Sequence, residues 1–175
     1  MHATSAPKIV GPRDGKAGSL GSIGVRFMID TEETHAGGFS LVEHPMPPRA
    51  LAAPLHRHSR EDEYSYVLEG RMGALLGEEV VYAEAGDLVH KPREQWHTFW
   101  NAGETPCRIL EIIAPGGFEN FFDELVEMGE RGADGPPQPE QLAALGARYG
   151  LEFDFASIPV LCERFGVTFG PAPAS

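Results

Sequence analysis

Between Leu55 and Pro115 the chain is cut into short strand-length runs by Gly70, Gly77, Gly86, Pro92 and Asn101-Ala102-Gly103. Short strands at such regular spacing point to an all-β sandwich or barrel. Two runs upstream, Val25 to Ile29 and Phe39 to Glu43, add strands on either side of a turn-like Thr34 to Gly38. The proline-rich stretch from Pro45 to Pro54 is expected at a sheet edge or outside the sheet, because proline cannot donate to a ladder. With 175 residues the chain fits one domain. Residues 1–24, rich in glycine, read as an N-terminal arm, residues 25–115 as the β-domain, and residues 116–175 as an extension packed on it.

The texture changes after Pro115. Phe118, Phe121, Phe122, Leu125 and Val126 recur with helical period, which predicts an amphipathic helix over 117–130 with Glu119, Asp123 and Glu127 on its wet side. A second helix is predicted over 140–149, with Pro139 before it and Gly150 after. Leu151, Phe153 and Phe155 then alternate with acidic residues, and a helical turn follows around Pro159 to Phe165.

The chemistry concentrates at His56-Arg57-His58-Ser59-Arg60-Glu61-Asp62-Glu63 and, further on, at His97. Alternate side chains of a strand share a face, so His56 and His58 can aim their imidazoles at one point. Glu63 opens the next apolar run and can return its carboxylate across a turn. Imidazole nitrogen with carboxylate oxygen suits one divalent transition metal: iron, nickel, cobalt, manganese, copper or zinc.

These residues resemble the cupin superfamily. Its first cassette is written glycine, five residues, His-x-His, three or four residues, Glu, six residues, Gly; His56, His58, Glu63 and Gly70 fall on it, with Ala50 in place of the leading glycine. Its second is glycine, five residues, Pro-x-Gly, two residues, His, three residues, Asn. Gly86, Pro92, His97 and Asn101 match it, while Glu94 replaces the middle glycine. Glu94 argues that this turn does not need a positive backbone dihedral. The resemblance implies a double-stranded β-helix (jelly-roll barrel) with a C-terminal helical extension, and makes His56, His58, Glu63 and His97 the metal ligands. Around Pro115 to Phe122 the chain is also similar to small bacterial single-domain cupins related to quercetin 2,3-dioxygenase. That likeness implies that Glu63 could accept a substrate proton in addition to ligating.

Around this centre, Phe99 shares the face of His97 and is expected inside the barrel as a substrate contact. Phe118, Phe121 and Phe122 could close the barrel mouth over an apolar substrate, or pack their helix on the sheet. Tyr64 and Tyr66 take the face opposite Glu63 and are expected outward, in a dimer contact; Trp96 and Trp100 likewise oppose His97. Glu61 and Asp62 read as solvated turn residues and His90 as a satisfied or surface histidine. His44 could line the barrel. His2 and His35 carry no signal.

The leading functional expectation is a metal-dependent dioxygenase taking O2 and an aromatic or enolic small molecule. The alternatives are a non-redox metal-dependent isomerase, cyclase or decarboxylase, and a small-molecule-binding barrel without turnover. A net charge of −12 argues against nucleic acid and anionic membrane as partners. The first twelve residues lack the apolar core of a signal peptide, no window approaches a membrane span, and Cys107 and Cys162 make no disulfide framework. The expectation is a soluble cytoplasmic homodimer.

Overall fold

A computed structural model describes residues 8–34, 37–131 and 137–171. His2 and His35 lie outside the described residues. In chain order the strands are β1 (Ala17–Ser19), β2 (Gly24–Ile29), β3 (Ser40–Met46), β4 (Leu55–His58), β5 (Asp62–Glu69), β6 (Arg71–Leu76), β7 (Glu79–Glu84), β8 (Leu88–Lys91), β9 (His97–Asn101) and β10 (Cys107–Ala114). The helices α1 (Glu119–Arg131) and α2 (Pro139–Arg148) follow, then β11 (Leu151–Asp154) and α3 (Ser157–Phe165).

Two sheets form, in the orders β1-β2-β3-β10-β5-β8 and β11-β4-β9-β6-β7. Every strand pairing within them is antiparallel. The alternation on β10 shows why they close face to face. Cys107, Ile109, Glu111 and Ile113 are buried, and the residues between them are half-buried on the outer face. The inner faces share one cluster that joins Met46, Val67, Val89 and Ile109 to Met72, Ala74, Ala83 and Phe99. A second cluster seats Phe118, Phe121, Phe122 and Val126 of the α1 region on Val25, Phe27, Val42 and Ile113.

Several expectations need correction. Pro45 is not outside the sheet. It sits in β3, an inner strand, opposite Arg108 of β10. The ladder pairing of β3 with β2 ends at Glu43, so on that flank Pro45 has no ladder bond to disrupt. The arm contributes β1, which pairs with β2. The extension is not purely helical, because its alternating segment is β11, antiparallel to β4. Trp100 does lie on the outer face, yet it is buried, because α3 lays Phe165 flat against it with ring centroids 4.1 Å apart. Glu119, expected on the wet side of α1, is buried and accepts the backbone N–H groups of Thr31 at 2.8 Å and Gly117 at 2.6 Å. Helical period alone could not register that the helix start is packed against the loop before β3.

Candidate metal centre

Strand pairing brings three histidines together. His56 and His58 alternate inward on β4, and His56 stands opposite His97 of β9. Glu63 comes from the facing sheet, on β5. One ligand atom from each of the four lies within 4.8 Å of the others, and all four residues are buried. His97 Nε2 is 3.2 Å and His58 Nε2 3.6 Å from Glu63 Oε2.

The donor set fits a divalent transition metal by its outer contacts. His56 Nδ1 meets the Pro54 carbonyl at 2.8 Å, and His97 Nδ1 meets the Gln95 carbonyl at 3.0 Å. A carbonyl can only accept, so both Nδ1 atoms carry a proton and Nε2 is the atom each ring can offer a metal, His97 Nε2 standing against the Glu63 carboxylate in the metal-free site. His58 Nδ1 faces Glu61 Oε2 at 3.5 Å, and neither atom has another partner. Glu61 is therefore no solvated turn residue; it is buried behind His58. Burial, together with the neighbouring imidazoles, holds His56 well below the usual imidazole range and also lowers His97. Both rings are thus neutral at ordinary pH. Burial pushes the Glu63 carboxyl up, but the opposing influences, the Lys91 ammonium foremost, hold it well below the usual range.

The turn between β8 and β9 fixes this arrangement. Glu94 takes a left-handed φ of 63°, so the turn does need a positive dihedral despite the absence of glycine. That geometry costs about 1 kcal/mol for a non-glycine residue. In this turn the Glu94 N–H donates to the His58 carbonyl at 2.7 Å, tying it to the ligand strand. Arg93 braces the same turn by reaching both carboxylate oxygens of Asp62. Asn101 holds the far end of β9 by donating to the carbonyls of Met46, Pro47 and Thr105.

Behind Glu63 stands a buried network that the sequence reading missed. Lys91 Nζ lies 3.0 Å from both Glu63 Oε2 and Glu111 Oε2, and 4.4 Å above the Phe99 ring. Ser65 Oγ donates to Glu111 Oε2 at 2.7 Å. Burial raises the Glu111 carboxyl to about 7 against the opposing pull of Lys91. A signal was present: Glu111 interrupts the apolar face Cys107, Ile109, Ile113, and alternation from Val89 puts Lys91 on the same side as the core.

A cavity of about 700 Å³ opens over the site, and its lining includes His56, His58 and Glu63. The three expected aromatic contacts, Phe99, Phe118 and Phe122, all line it. Phe118 stands edge-on to His58 at 4.4 Å between centroids, and Phe153 and Phe155 add an apolar wall from the extension. His44 also lines it. The outward residues fall as expected: Tyr66 is exposed, and Tyr64 stacks on the exposed His90 at 4.8 Å.

Residues 42–113 match the family described as "Cupin domain". The curated "Oxidoreductase iacF" of Pestalotiopsis fici is 31% identical over 125 residues, covering 64% of this chain and 56% of that protein. The chain spans about half the length of the curated relatives it matches. The polyketide cyclase RemF from Streptomyces resistomycificus is 30% identical with a TM-score of 0.52, covering 62% of this chain and 79% of that one. KdgF from Halomonas sp. is 17% identical with a TM-score of 0.56, covering 66% of this chain and 99% of that one, and shares the fold. Among the described residues no helix is long and apolar enough to cross a membrane.

Proposed function

The chain belongs to the cupin superfamily, and from that premise we propose that it is a metal-dependent dioxygenase acting on an aromatic, enolisable small molecule. The observation that carries this reading is the convergence of three imidazoles and one carboxylate beside an apolar cavity of about 700 Å³. Four protein donors leave one or two positions open on a five- or six-coordinate ion, as catalytic sites require. One divalent transition metal, held by His56, His58, Glu63 and His97, would supply Lewis acidity toward an enol oxygen and a redox-active centre for O2.

The protein's own residues do the rest. Phe99, Phe118 and Phe122 would hold a flat ligand and exclude water. Glu63 would accept the enol proton as the substrate ionises, and Lys91 would keep its carboxylate charged and oriented beforehand. Both oxygen atoms of O2 would enter the product, so no external reductant is needed. The outer face carrying Tyr66 and Leu88 would be the contact of a homodimer. Two free cysteines suit a reducing cytoplasm.

A second reading, non-redox cyclisation or isomerisation, is favoured by His44. This buried neutral imidazole lines the same cavity and could serve as the additional base such chemistry needs. The similarity to a polyketide cyclase points the same way. An oxygen electrode separates the two. Stoichiometric O2 uptake with flavonols or other enols, lost in His56→Ala, supports the dioxygenase. Turnover of the same compounds under nitrogen would replace it with the non-redox reading.

A further inference from the structure

His44 occupies a distinctive place. On β3 it points inward between Val42 and Met46, is 2% exposed, and lines the cavity that also receives His56, His58 and Glu63. Its ring is fixed edge-on to Phe122 at 5.2 Å between centroids, with Phe99 at 6.3 Å. Nδ1 meets the Gly24 carbonyl at 2.9 Å. Since that carbonyl can only accept, Nδ1 carries the ring proton and Nε2 presents a lone pair. Among the described residues no side chain or backbone group donates to Nε2. Burial holds the ring neutral, with its pKa lowered to about 4. Apart from the candidate metal donors and Glu111, whose Oε1 is also without a partner, His44 is the fixed acceptor on this largely apolar wall, and a ligand that brings it no donor leaves it desolvated and unpaired.

We propose that His44 is a specificity-determining residue whose Nε2 accepts a hydrogen bond from a phenolic hydroxyl of the ligand, so that the cavity selects hydroxylated aromatics over their deoxy analogues. The proposal deepens the reading of the cavity as an aromatic-ligand site, and it places a second polar anchor apart from the metal ligands. A ligand matching both would carry an enol oxygen at one position and a phenol at another.

The test is calorimetric titration of the 175-residue chain with 2-naphthol and with naphthalene, as purified and again with a chelator present. The expected result is that 2-naphthol binds about tenfold more tightly than naphthalene, as one hydrogen bond to a buried acceptor allows. In His44→Leu that preference should fall below about twofold, because naphthalene no longer strands a buried acceptor and binds at least as tightly as to the wild type, while His44→Gln should keep part of it. In the wild-type protein, the ¹⁵N resonance of His44 Nε2 should shift on adding 2-naphthol and not on adding naphthalene. An equal preference in His44→Leu, no preference in the wild type, or an unmoved Nε2 resonance would overturn the proposal. Retention of the preference with the chelator separates it from the metal reading, which fails independently if no metal binds.

Discussion

Lys91 Nζ lies 3.0 Å from Glu63 Oε2, so the one carboxylate of the candidate metal site is already ion-paired to a fully buried ammonium. A second bond, to Glu111, makes Lys91 the bridge between two buried acids. Lys91→Met leaves both without their cation. We expect about 3 kcal/mol loss of stability in metal-free protein, the usual scale for orphaning a buried charge. A bound divalent ion restores part of it by neutralising Glu63. Urea unfolding with and without metal checks this, and the variant should gain more from metal than the wild type.

Glu61 is buried behind His58, with its Oε2 3.5 Å from Nδ1. A carboxylate there helps to hold the ring in place behind the site. Glu61→Ala should weaken metal affinity by roughly 10- to 100-fold while the fold persists. Competition against a chromophoric chelator measures it.

His44 should make stability depend on pH. Its folded-state pKa is lowered from 6.5 to about 4, chiefly by burial. The folded protein therefore binds fewer protons than the unfolded chain between those values, so stability falls as pH drops from 6.5 and the loss is complete near 4. At 1.36 kcal/mol per unit this is at most about 3 kcal/mol. In His44→Gln the slope across that window should be shallower, as followed by denaturant unfolding at fixed pH steps.

Gly73 sits on β6 directly opposite Trp100. A Cβ at that position would stand 2.3 Å from the indole, which is itself clamped by Phe165. Gly73→Ala should destabilise by about 1–3 kcal/mol, the usual range for overpacking a filled core. It should also quench or shift the Trp100 fluorescence. An unchanged melting temperature would contradict the packing described for α3.

Much of this molecule was legible in advance. The alternation at His56-x-His58 and the turn residues around Gly70 and Gly86 carried the β-architecture, and cassette spacing picked Glu63 over Glu61. What escaped depended on contacts between distant segments. The burial of Glu119 and Trp100 is set by a loop and a helix far from each in sequence, while Glu61 is covered by His58, three residues before it, only once β4 and β5 face each other. Glu94 shows a different limit: a left-handed turn tolerated by a non-glycine residue reads as if no such turn were required. Lys91 and Glu111 are charges on core-facing strand positions, and only their pairing across the barrel makes that burial sustainable.

The central claim is that His56, His58, Glu63 and His97 bind one divalent transition metal. Elemental analysis of protein purified without chelator or added metal, alongside His56→Ala, tests it most directly. The account predicts about one iron, nickel, cobalt, manganese, copper or zinc per chain in the wild type and a large loss in the variant. Wild-type protein that carries no metal, and takes up none on titration, would contradict it.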